Sequence, residues 1–216
     1  MKKIAIVLSG CGHKDGSEIT EVVSTLIALG QNQAQATCYA PDKTVVCLDH
    51  IEDQPCGERN ILSESTRITR TPVLPIHELN PDDYDGVIFP GGFGAALHLS
   101  SWANEGSKCQ VLPDVVRVIQ GFHSQSKPIG AICVAPVLVA KVLGGEDVTV
   151  TIGSDIENIA EIKKTGSHHE TCEVTDYITD RANKVVTTPA YMYDQARPDQ
   201  VFLGISGMIK ELVEMA

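Results

Sequence analysis

Short runs of β-branched and apolar residues alternate along the chain with stretches whose apolar positions recur at helical spacing. That alternation predicts crossover units feeding a mostly parallel sheet, an α/β architecture. Lys3–Leu8, Gln35–Ala40, Gly86–Phe89, Ile129–Ile132 and Val148–Thr151 read as strands. Glu173–Ile178 and Lys184–Thr187 read as two more, joined into a hairpin or edge pair by the turn residues at 180–183. Helical spacing covers Glu18–Leu29, Val111–His123, Val134–Leu143, Ile156–Lys164 and Pro198–Met215, with a shorter helix over Asn60–Thr69. Ser17 and Asp155 stand where they cap the free amides of a first helical turn. No repeat, low-complexity tract or linker divides the chain, so one domain over residues 1–216 is expected. The region Val45–Asn80, punctuated by Pro55, Gly57, Pro72 and Pro75, reads as an insertion beside the sheet.

Composition narrows the function classes. With 216 residues and 43% hydrophobic content the chain can bury a substantial core. A net charge of −11 without any basic run argues against nucleic acid or anionic membrane as partners. Cys11, Cys38, Cys47, Cys56, Cys109, Cys133 and Cys172 form an odd set with no CxxC pair. Free thiols in a reducing compartment fit that pattern better than disulfides or a structural zinc, and no metal is expected. Met1-Lys2-Lys3 before Ile4–Leu8 imitates a secretion signal, but the apolar run is shorter than the roughly seven residues such a signal needs. A first strand and a cytoplasmic location are expected instead.

In open parallel sheets, ligands bind outside the carboxyl ends of the strands, so the loops after strands carry the candidate chemistry. Gly130-Ala131-Ile132-Cys133-Val134-Ala135-Pro136 places a cysteine between an apolar strand and a helix, with the small neighbours a sharp turn requires. The helix end and its free amides favour thiolate over thiol, making Cys133 the candidate nucleophile, although most free cysteines are simply small buried hydrophobes. Pro90-Gly91-Gly92-Phe93-Gly94 follows another strand at the same sheet edge. Its Gly91–Gly92 backbone can approach a ligand closely, and the Gly92 and Val134 amides are placed to bind a developing oxyanion. The same glycines also suit a plain strand-to-helix connection. The loop Gly10–Ser17 lacks the glycine spacing of a dinucleotide site, and Glu18 behind it offers a carboxyl whose burial would raise its pKa and let it carry a proton.

Together, Ser17-Glu18, Pro90–Gly94 and Ala131–Pro136 resemble the acid, glycine loop and nucleophile elbow of a known superfamily. It includes the parkinsonism-associated deglycase, PfpI-type proteases and class I glutamine amidotransferases. Ser9–Gly12, Asp15–Glu18, Arg67–Arg70, Pro90–Ala96, Thr151–Gly153 and Lys184–Met192 are similar to its enhancing-lycopene-biosynthesis (isoprenoid biosynthesis, sigma cross-reacting) group. The resemblance covers nearly the whole chain. It implies a flavodoxin-like three-layer sandwich with helices on both sheet faces, usually a homodimer. It also implies glyoxalase activity on small dicarbonyls, in which Cys133 forms a hemithioacetal and Glu18 shuttles a proton, without glutathione, metal or other cofactor.

One departure bears on mechanism. Many relatives carry a histidine after the elbow helix, where this chain has Thr151-Ile152-Gly153. His168 and His169 are expected to be solvated loop residues, and His168-His169-Glu170 with Cys172 too cramped to converge on a metal. Without an imidazole, addition to an aldehyde is easier than amide hydrolysis, whose leaving amine must be protonated. Two other readings remain open: Cys133 as an oxidisable regulatory thiol, and an amidotransferase subunit that needs a partner. Arg59, Asn60 and Glu64 are expected on a solvated helix face rather than in the pocket.

Overall fold

A computed structural model describes residues 1–216. In chain order the strands are β1 (Lys3–Val7), β2 (Gln35–Ala40), β3 (Thr44–Leu48), β4 (Pro55–Asn60), β5 (Val73–Pro75), β6 (Gly86–Phe89), β7 (Ile129–Ile132), β8 (Thr149–Val150), β9 (His168–His169), β10 (Ile178–Asp180) and β11 (Val185–Thr188). The helices are α1 (Ile19–Gln31), α2 (Ile61–Thr69), α3 (Phe93–Leu97), α4 (Trp102–Glu105), α5 (Pro113–Ser124), α6 (Pro136–Leu143), α7 (Ile156–Lys164) and α8 (Pro198–Met215). Seven strands make the central sheet in the order β10-β11-β7-β6-β1-β2-β5. All pairs in it are parallel except β10 with β11. Helices cover both faces, giving the expected flavodoxin-like α/β sandwich.

The central strands are apolar throughout because both faces are covered. β6 and β7 are buried at every position, as parallel strands between two helical layers must be. One face of β7 meets α8 directly: a Cβ at Gly130 would lie 2.7 Å from Leu212 and 3.0 Å from Met208. No helix is long and apolar enough to cross a membrane.

Several expected boundaries move for local reasons. Val148–Thr151 does not enter the central sheet; only Thr149–Val150 is extended, and it pairs with β9. The place beside β11 is taken by β10, whose Asp180 carboxylate accepts from the Thr149 amide at 2.9 Å. That strand is Ile178–Asp180 rather than Glu173–Ile178, because Glu173–Asp176 closes a turn through Asp176 N–H donating to the Glu173 carbonyl at 3.0 Å. Val111–His123 starts two residues late, at Pro113, since the residue before a proline is held extended. The region Val45–Asn80 is more than an insertion beside the sheet. It holds the β3–β4 hairpin and α2, but also β5, which closes the sheet edge next to β2.

Candidate active site

β7 ends at Ile132, and the chain turns at Cys133 with φ of 61°, the left-handed region that a residue with a Cβ enters only under constraint. Cys133 N–H donates to the Thr188 carbonyl at 2.9 Å, and Ala135 N–H returns to the Ile132 carbonyl at 3.0 Å. These bonds and Pro136 in the first turn of α6 fix the elbow. Cys133 as a residue is 8% exposed, at the wall of a cleft of about 560 Å³, the size that takes a small organic ligand.

Against this elbow lies the glycine loop. A Cβ at Gly91 would sit 2.7 Å from a Glu21 carboxylate oxygen and 2.8 Å from the Ile132 carbonyl, so only glycine fits. Gly92 has φ of 91° and turns its amide onto the Cys133 sulfur, which also receives the Val134 amide. The two amides expected to hold an oxyanion thus point at the Cys133 sulfur itself. The loop is stitched to the segment before α1: Glu18 N–H donates to Gly91 O at 3.0 Å, Phe93 N–H to His13 O at 2.7 Å and Gly94 N–H to Gly16 O at 3.0 Å.

The carboxyl that meets the sulfur is Glu21. Glu18 borders the cleft, but it is the N-cap of α1, its Oε2 accepting from the Glu21 amide at 2.7 Å. Burial raises its pKa, and the backbone N–H of Glu21 pulls it partly back. Ser17, expected as the cap, instead accepts from the Ser9 amide at 2.9 Å. Glu21, one turn inside α1, is fully buried; its Oε2 accepts from Gly91 N–H at 2.8 Å, and its carboxyl lies close to Cys133 across Gly91. Burial and the neighbouring Glu18 push Glu21 up to about 8. Its Oε1 is buried without a hydrogen-bond partner, a position that a protonated carboxyl tolerates better than a charged one.

Burial also raises the Cys133 thiol well above its ordinary value, and an ionised Glu21 would raise it further, while the Gly92 and Val134 amides pull it down. Desolvation therefore opposes the thiolate-favouring helix end that the sequence suggests. Because Glu21 keeps its proton up to about 8, it sets no full negative charge against the sulfur near neutral pH. The same cleft is also lined by His13, Tyr191, Asp155 and Asp194.

Glu21 was legible in principle, as an acid on the apolar stripe shared with Val22, Thr25, Ala28 and Leu29. His13 sits in a loop with no periodicity to mark it. His168 and His169 lie away from the cleft: His168 is bonded to Asp147 at 2.6 Å, and His169 Nε2 accepts from the Ile152 amide at 3.2 Å. No group of three or more His, Cys, Asp or Glu side chains is arranged to hold a metal. Arg59 and Glu64 pair at 3.3 Å and Asn60 caps α2, all outside the cleft.

Comparison with known proteins fits this geometry. The chain is 43% identical to the human glutamine amidotransferase-like class 1 domain-containing protein 3, mitochondrial, over 99% of its length and 83% of the relative's. It is 40% identical to the rat ES1 protein homolog, mitochondrial, over 99% of this chain and 84% of that one. A crystal structure of an isoprenoid biosynthesis protein with amidotransferase-like domain from Ehrlichia chaffeensis superposes with a TM-score of 0.93 at 34% identity, covering 100% of this chain and 99% of that one. The cytoplasmic location expected from sequence does not stand, because these curated relatives are named mitochondrial. Residues 11–192 match the DJ-1/PfpI family, whose members include deglycases, glyoxalases and stress proteins; with the elbow, glycine loop and buried acid in place, the chain belongs to that family.

Proposed function

We propose that this chain is a glutathione-independent glyoxalase acting on small glyoxal-like dicarbonyls through Cys133. The observation that carries the reading is the Glu21 carboxyl, buried, neutral near pH 7 and set close to the cysteine of an elbow that opens on a small cleft. Cys133 and Glu21 titrate as a pair, and the reactive form is the one in which the sulfur has given up its proton while the carboxyl keeps its own. The sulfur attacks the aldehyde carbon, forming the C–S bond as the carbonyl electron pair moves to oxygen and takes up that proton. In this reading the Glu18 carboxylate at the cleft takes the hemithioacetal C–H proton and delivers it to the neighbouring carbon, while the hydroxyl proton passes to the neighbouring oxygen, so that the sulfur-bearing carbon regains its C=O and its neighbour becomes an alcohol carbon. The thioester so formed is split by water, releasing the hydroxy acid and the thiol. No imidazole is required, because no amine leaves.

Turnover of glyoxal by the purified protein tests this. Cys133→Ser should abolish it, Glu21→Gln should lower kcat by about 10²- to 10⁴-fold, and Glu18→Gln should lower it strongly. Wild-type rates in all three remove the proposal. A regulatory reading is favoured by one feature, the Gly92 and Val134 amides, which would equally hold the oxygens of an oxidised sulfur. Selective peroxide oxidation of Cys133 with negligible turnover would select it.

A further inference from the structure

A second pair of reactive groups lies outside the cleft. The β3–β4 register slips between Val46 and Leu48, and this irregularity brings Cys47 across to Cys56, with the sulfurs 3.2 Å apart. Cys47 is 4% exposed, whereas Cys56 is open to solvent. No residue of this hairpin lines the Cys133 cleft. The turn beyond the pair grips the loop after β1: Leu48 N–H donates to Asp15 at 2.6 Å, and Lys14 Nζ donates to the His50 carbonyl at 2.9 Å and pairs with Asp53.

We propose that Cys47 and Cys56 are a reversible dithiol–disulfide site, oxidised by low-molecular-weight disulfides of the glutathione disulfide class. Facing cysteines in an antiparallel hairpin fall within the Cα separations a disulfide spans, so closure needs only a small approach of the two sulfurs. Exposure assigns the order of events. The Cys56 thiolate attacks one sulfur of the external disulfide; a protein–external S–S bond forms, the external S–S bond breaks, and one thiolate departs. Cys47, after losing its proton to solvent, attacks the Cys56 sulfur and expels the second thiolate. The two protons lost by the protein end on the two departing thiolates. One external disulfide is thereby reduced to two thiols as the hairpin loses two electrons. Contact with Cys47 holds the Cys56 thiol above its ordinary pKa, so the first step quickens as pH rises.

The test uses the full chain in glutathione–glutathione disulfide mixtures of increasing oxidation, quenched by acid, alkylated and digested with trypsin. Residues 44–59 leave as one peptide holding Cys47, Cys56 and no other cysteine. Under oxidising ratios it should appear unalkylated and lighter by two hydrogen atoms, and dithiothreitol should restore double alkylation. Cys47→Ser should convert the product to a stable glutathione adduct on Cys56, and Cys56→Ser should leave Cys47 free of glutathione. Full alkylation of both thiols at the most oxidising ratio overturns the proposal. So does a wild-type glutathione adduct on Cys56 beside a still alkylatable Cys47, or a Cys56→Ser protein whose Cys47 takes up glutathione.

Discussion

Burying Glu21 costs stability that the fold supplies from elsewhere. In the unfolded chain this carboxyl ionises near the ordinary 4.5, while in the fold it keeps its proton up to about 8. Between those values the folded protein holds a proton the unfolded chain has released, so raising the pH favours unfolding. The penalty is absent below 4.5 and complete above 8. Glu21→Gln keeps an acceptor for the Gly91 amide and removes the ionisation. Its gain in stability over the wild type should grow across that window, by at most about 1.4 kcal/mol per pH unit. Paired thermal unfolding curves at stepped pH check this, and a constant difference would place the retained proton on another group. The same substitution should depress turnover, so the residue would trade stability for chemistry.

The elbow is strained in a way that a substitution can read. With φ of 61° at Cys133, a glycine relieves what an alanine must endure. Cys133→Gly should therefore unfold at higher denaturant than Cys133→Ala, by about 1 kcal/mol, reversing the usual order of the two residues. Equal midpoints would mean that the turn relaxes. The elements around it were legible to very different degrees. β6 and β7 were readable because complete burial makes them unbroken apolar runs, and α2 because Asn60 supplies its cap. β5 was not, since three residues ending in Pro75 carry no period, and their strand character comes from pairing with β2. The β3–β4 hairpin was hidden by Pro55 and Gly57 within its second strand. At the site, Cys133, Gly91, Gly92 and Val134 followed from turn chemistry. Glu18 follows from its place behind the β1 loop and from the family resemblance, whereas Glu21, an acid on the apolar stripe of α1, is informative only once its partner is known.

At the scale of the whole molecule, the net charge of −11 surrounds a cleft that itself carries Glu18, Asp155 and Asp194. Such a field repels anions and leaves neutral molecules indifferent. If the proposed activity holds, kcat/KM for uncharged glyoxal should vary little with salt. That for an anionic 2-oxoaldehyde such as 4,5-dioxovalerate should rise roughly twofold or more between about 0.01 and 0.15 M ionic strength, as the screening length shrinks. A fall for the anionic substrate would mean that a local cation outweighs the global field. A different long-range consequence follows from the three backbone hydrogen bonds that tie the segment before α1 to the glycine loop. Residues some seventy-five positions apart in sequence become a single jaw, carrying the Glu18 carboxyl and the Gly92 amide together. The acid and the amide donor are thereby geared to each other, and a widening of the entrance would have to come from an element outside this jaw, such as the start of α7 with Asp155 and Asn158.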